Sequence, residues 1–67
     1  MATFALYFHS RKNFSDKSTW SKELLPVDYT ENEVATAAKV AGCEGYAIID
    51  NSKPAGHEVL SFKWFKV

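Results

Sequence analysis

Sixty-seven residues, with eight Lys plus Arg against eight Asp plus Glu, two His and one Cys, are expected to form one small domain over residues 1–67, burying only about 60% of the unfolded chain's surface. A hydrophobic content of 46% with five Phe, three Tyr and two Trp excludes a disordered chain, which carries few aromatics and a high net charge. A single Cys excludes an internal disulfide, and zero net charge argues against a protein built mainly to neutralise phosphates.

Residues 2 to 9 alternate, with Phe4, Leu6 and Phe8 on one side and Thr3, Ala5, Tyr7 and His9 on the other, which is the signature of a strand with one buried face. The stretch from Trp20 to Leu25 follows a Ser-Asp-Lys-Ser-Thr run and precedes Pro26, so it reads as a short strand antiparallel to the first, with the proline at an edge or strand end. Thr30-Glu31-Asn32-Glu33 is a capping box. The Thr30 hydroxyl can accept from the N–H of Glu33, while the Glu33 carboxylate reaches back to the N–H of Thr30. Val34, Ala37, Ala38 and Ala41 then recur at helical spacing and Gly42 can supply a left-handed stop, giving a helix of about eleven residues with a mostly alanine buried side. Tyr46-Ala47-Ile48-Ile49 is a third strand. Turn formers fill residues 50–56, and Val59 to Phe65 alternate again, with Leu60, Phe62 and Trp64 opposite Val59, Ser61, Lys63 and Phe65.

The predicted architecture is therefore α+β: an antiparallel sheet of about four strands in ββαββ order with one helix packed on one face. The bulkier sides of the outer segments, Phe4, Leu6, Phe8, Leu60, Phe62 and Trp64, are expected under the helix. Tyr7, His9, Lys63 and Phe65 are then expected on the open face, with Arg11 and Lys12 in the adjoining loop. Charge is uneven along the chain: a net of plus three over residues 9–22, minus five over 23–50 and plus two over 51–67. Such a dipole can orient a partner on approach.

Catalytic chemistry has few candidates. Cys43 follows a helix C-terminus, where the dipole disfavours a thiolate, and is expected to act as a small buried hydrophobe. His57 and Glu58 are consecutive where the chain enters the last strand, so their side chains point to opposite faces. Cys43, His57 and His9 lack any spacing typical of a metal site. No glycine-rich phosphate loop, cofactor site or metal site is expected, and the chain is expected not to be an enzyme.

Glu44-Gly45-Tyr46-Ala47-Ile48-Ile49 and Leu6-Tyr7-Phe8 resemble parts of the two base-stacking strands of the RNA-recognition family, a likeness that implies neighbouring strands stacking bases on aromatic rings. The pattern departs from that family in four places. Glu44 stands where a basic residue belongs, and Asp50 or Asn51 where an aromatic does. A capped helix replaces the strand expected ahead of the motif, and residues 51–67 leave no room for a second helix. No functional residue is carried over from it.

Read as a complete, Met-initiated chain, the protein is expected to be a soluble cytoplasmic module. It would act by binding another protein, as an adaptor or as an inhibitor that occludes a partner's surface, with a build like that of small accessory proteins of phages and mobile elements. Tyr7, His9, Arg11, Lys63 and Phe65 are the expected partner-binding residues, and alanine at Tyr7 and Phe65 is expected to spare thermal stability. The alternative is weak single-stranded nucleic-acid binding by the same aromatic and basic face together with Lys12, Lys17 and Lys66. Homo-oligomerisation through a sheet edge or the open face is compatible with either. No apolar run of membrane-spanning length is present.

Overall fold

The structure, a computed structural model, describes residues 2–65; Lys66 lies outside them. Four strands, β1 (Thr3–Phe8), β2 (Trp20–Leu24), β3 (Gly45–Asp50) and β4 (Val59–Trp64), form one sheet in the order β2-β1-β3-β4, with every neighbouring pair antiparallel. One helix, α1 (Glu31–Val40), connects β2 to β3 and packs chiefly over β3. This is the α+β architecture in ββαββ order that the alternation and capping signals imply.

The helix boundaries follow from local chemistry. The Glu33 N–H donates to Thr30 Oγ1 at 3.3 Å, and the Thr30 N–H donates to Glu33 Oε1 at 3.0 Å. Both halves of the capping box are therefore made. Gly42 ends the helix at φ +79. Its N–H bonds the Lys39 carbonyl while the Cys43 N–H bonds that of Ala38, which is the paired closure that a left-handed residue makes possible. Only Val34 and Ala38 of the helix are fully buried, so the axis lies close to the sheet and the bulk beneath it comes from strand side chains.

Those side chains differ from the expected ones. Ala5, Tyr7, Tyr46 and Ile48 form the core with Val34, Ala38 and Cys43, and Leu25, Tyr29 and Phe65 pack against its margin. Phe4, Leu6 and Phe8 point the other way, as do Phe62 and Trp64. The rows expected for β1, and for β4 from Ser61 onward, do share faces, but the face assigned to the helix is reversed. A local irregularity adds to this. Ile48 pairs with Ser61 and Ile49 with Val59, leaving Leu60 as the extra residue of a β-bulge. Because a bulge shifts the two-residue period by one, Val59 joins Phe62 on the far face and Leu60 drops out of both rows.

Candidate functional site

The face away from the helix is built around Phe8, which is 2% exposed although no helix covers it. The loop of residues 9–19 supplies its cover. Asp16 accepts from the N–H and hydroxyl of Ser18, starting a short 3-10 turn (Lys17–Thr19). The Trp20 indole N–H donates to the Phe14 carbonyl at 3.0 Å. At the other end of the loop, the Arg11 N–H donates to the Glu44 carboxylate at 2.8 Å. Held at these points, the loop lays Phe14 on the sheet. Phe14, Trp20, Phe62 and Trp64 surround Phe8 with ring centroids 5.0, 4.9, 5.4 and 5.6 Å from it. Several of these contacts are edge to face, the arrangement favoured by the ring quadrupole.

The loop covers only part of this face. Beside it lies a groove of about 230 Å³ lined entirely by apolar side chains, among them Leu6, Phe14, Ile49, Val59 and Phe62. Leu24 on one edge strand is 65% exposed, Val59 on the other is 51% exposed and Phe62 is 46% exposed. The apolar surface therefore runs across the whole sheet. Its flanking charges are cationic: the Arg11 guanidinium lies 4.9 Å from the centre of the Trp64 ring, and Lys22 Nζ lies 4.2 Å from that of Phe4.

Of the five residues expected to bind a partner, only Arg11 is on this surface. Tyr7 is buried under the helix and its hydroxyl donates to Glu23 Oε1 at 2.7 Å. Phe65 packs on Tyr46 with centroids 5.6 Å apart and lies under the Lys39 ammonium. Lys63 is exposed opposite Tyr46, on the helix side near Glu31. His9 is exposed, with its ring between Cys43 and Ser21. Of the face residues that displace them, Leu24 was read only as part of a strand and Phe62 was assigned to the helix side. The same inversion bears on the likeness to base-stacking strands: the two stretches do run side by side, with Tyr7 opposite Tyr46, but both rings are closed off beneath α1.

Two tyrosines tie the helix side together. The Tyr46 hydroxyl donates to Glu31 Oε2 at 2.6 Å, and Ser61 Oγ donates to the same oxygen at 2.8 Å. These two bonds hold the Glu31 carboxyl below its usual range. Burial, reinforced by the neighbouring carboxylates Glu23 and Glu31, pushes the phenols of Tyr7 and Tyr46 each up to about 12. A phenol whose folded pKa lies above its unfolded value of about 10 contributes stability that is intact below that value and is lost as pH rises through the folded pKa. Alkaline titration should therefore show the tyrosinate absorbance of Tyr7 and Tyr46 appearing together with loss of the circular dichroism signal between about pH 10 and 12. Tyr46→Phe should remove one tyrosinate equivalent from that step; a Tyr46 signal titrating at about 10 in folded protein would contradict its burial.

The fold also assembles a pair that the spacing did not suggest. Cys43 Sγ lies 3.7 Å from His9 Nδ1, and His9 Nε2 lies 3.0 Å from Ser21 Oγ. Burial raises the Cys43 thiol above its ordinary pKa, which keeps it protonated, whereas a nucleophile needs the thiolate. Among the described residues no group of three or more His, Cys, Asp and Glu side chains is placed to hold a metal ion, and no helix is long and apolar enough to cross a membrane. No family model, curated protein or solved structure matches this chain.

Proposed function

We propose that the protein is a non-enzymatic protein-binding module that uses the sheet face opposite α1 to occupy a surface of another protein, as an adaptor or an inhibitor. The observation that carries this reading is the groove of about 230 Å³ lined by apolar side chains, with exposed Val59 and Phe62 among them and exposed Leu24 on the same face of the edge strand. A groove below the roughly 300–1,000 Å³ of small-molecule sites suits protruding side chains of a partner better than a free ligand. Clustered aromatics with exposed apolar neighbours are the usual anchors of protein interfaces. The protonated, buried thiol of Cys43 further supports a binding role over covalent catalysis.

Arg11 and Lys22 above aromatic rings favour a second reading, single-stranded nucleic acid, in which exposed Lys12 and Lys17 of the loop would contact phosphates. Two features weigh against it. The rings around Phe8 are occupied by one another rather than free to receive bases, and an apolar groove would desolvate base edges without returning their hydrogen bonds.

The test is affinity capture from lysate of the source cell, with and without nuclease, comparing the wild type with a Leu24→Ser, Val59→Ser double variant. Exposed positions of this kind change stability by about 0.5 kcal/mol or less each, whereas interface anchors cost about 1–2 kcal/mol each, so retention should fall by about tenfold or more with the melting temperature nearly unchanged. A partner retained equally by the double variant would place binding elsewhere, and a captured species that disappears with nuclease would favour the nucleic-acid reading.

A further inference from the structure

The two edges of the sheet differ in how they are closed. β2 and β4 are its outer strands, and each leaves one row of backbone N–H and C=O groups without a neighbouring strand. On β2 that row belongs to Trp20, Lys22 and Leu24, because the Leu25 N–H bonds the Thr3 carbonyl and bonded pairs alternate along an antiparallel ladder. Lys22 stands at its centre and Pro26 follows it, both of them features that keep an edge from pairing. Laid centrally against a second β2, Lys22 would face its own copy, a like-charge pair.

β4 has neither device at the centre of its edge. The Phe65 N–H bonds the Glu44 carbonyl, so by the same alternation Phe62 and Trp64 turn their backbone groups outward. Among the described residues no backbone hydrogen bond outside helices and strands reaches Phe62, and its ring is 46% exposed on the groove face. On the helix face Ser61 Oγ donates to Glu31 Oε2 at 2.8 Å, while Lys63 is exposed near the same carboxylate of its own chain. Acid and cation thus flank Phe62 along the edge, and the bulge at Leu60 lies outside this stretch.

We propose that β4 pairs with β4 of a second copy, antiparallel about a two-fold axis at Phe62, joining the two four-stranded sheets into one. In this register Phe62 exchanges both backbone bonds with its own copy, and the two rings meet on the groove face. Ser61 stands directly opposite Lys63 of the second copy, with Cβ atoms about 5 Å apart. That ammonium is thereby brought to the Glu31 carboxylate bonded to Ser61, and the symmetry makes the contact twice. Shifting the register one way sets Lys63 against Lys63, and the other way sets Ser61 against Ser61, so charge selects the register. The pairing lies in the plane of the sheet and neither needs nor blocks a partner on the groove.

Sedimentation equilibrium up to about 1 mM should show a monomer–dimer equilibrium that stops at the dimer. Lys63→Glu should weaken it by about tenfold or more, since two exposed pairs at a few-fold each turn from attractive to repulsive, and added salt should narrow that gap. The register is read by disulfide formation with oxidised glutathione in a Cys43→Ala background, each variant being checked for an intact sheet by circular dichroism. Ser61→Cys mixed with Lys63→Cys should give the mixed cross-linked pair in preference to either self-pair. A monomer at every concentration overturns the proposal and leaves the partner reading standing. A dimer that Lys63→Glu leaves unchanged, or that yields self-pairs or no mixed pair, overturns it in favour of another register or another face. Growth past the dimer overturns the two-fold pairing in favour of head-to-tail joining of β4 to β2.

Discussion

Phe8→Ala should leave the protein largely unfolded at room temperature, even though the residue sits on the face that no helix covers. Its ring is 2% exposed and lies within 5.6 Å of the four rings of Phe14, Trp20, Phe62 and Trp64. Removing such a side chain costs about 3–5 kcal/mol in transfer and cavity terms, and a core of this size rarely supplies more than about 3–5 kcal/mol in all. Phe14 would lose the surface on which the loop is seated, so the groove should be lost with it. Chemical denaturation followed by circular dichroism provides the measurement. A loss below about 1 kcal/mol would mean that the five rings are a surface decoration rather than a second core.

Gly45→Ala should be the other severe substitution, although it adds only a methyl group. A Cβ at this position would meet the Trp64 ring at 2.5 Å and the Lys63 carbonyl oxygen at 2.8 Å. Gly45 and Trp64 are directly opposite in the β3–β4 ladder, and the indole lies over the glycine as aromatic residues do on strand glycines. The ring could turn away, but the carbonyl belongs to the ladder and can move only by loosening it. Overpacking of this kind costs about 1–3 kcal/mol, and here the upper end is expected because backbone is struck. The change should lower the melting temperature by roughly 10 °C or more for a chain this short. It should also release Trp64 from Arg11, visible as a shift in tryptophan fluorescence. At Gly56 an added Cβ meets no atom within 4 Å but the backbone lies at φ +91, so Gly56→Ala strains the backbone without a clash, and only Gly45→Ala should disturb the Trp64 fluorescence.

The elements themselves were readable from short-range chemistry. The capping box at Thr30 and the stop at Gly42 place α1 to within a residue, because both are hydrogen-bonding patterns completed within a few positions of each other. The strands came from alternation, and the hairpin from its turn formers. What alternation cannot carry is the bulge at Leu60, since one extra residue leaves the composition of the strand unchanged while exchanging its faces. Nor does it distinguish an exposed apolar row from a buried one. The rule that the bulkier row lies under the helix failed because α1 presents small side chains to Tyr7, Tyr46 and Phe65, whose bulk fills the space beneath it, while the Phe and Trp row is roofed by Phe14 from its own loop.

The candidate surface was correspondingly only half visible. Arg11 stands at its margin over Trp64, whereas Tyr7 is buried and Phe65 is half-buried against Tyr46 rather than on an open face. Alanine at either should now lower stability, contrary to the earlier expectation, because each leaves a void against Tyr46 or the helix.

By itself, the sequence determined the class of the fold, the order of its four strands and one helix along the chain and, outside the bulge at Leu60, which residues travel together on a strand, since each of these rests on interactions between near neighbours. Only the tertiary structure decided the strand order β2-β1-β3-β4. In that order β2 and β3, both antiparallel to β1, run parallel to each other across it, and α1 is the crossover that joins them. Crossovers between parallel strands of one sheet are right-handed in the great majority of proteins because of the strand's own twist, so the helix is led to one face whatever the sizes of the side chains there. With the helix on that face, Tyr7 lies in the core while Phe62, Leu24 and Val59 stay exposed on the other.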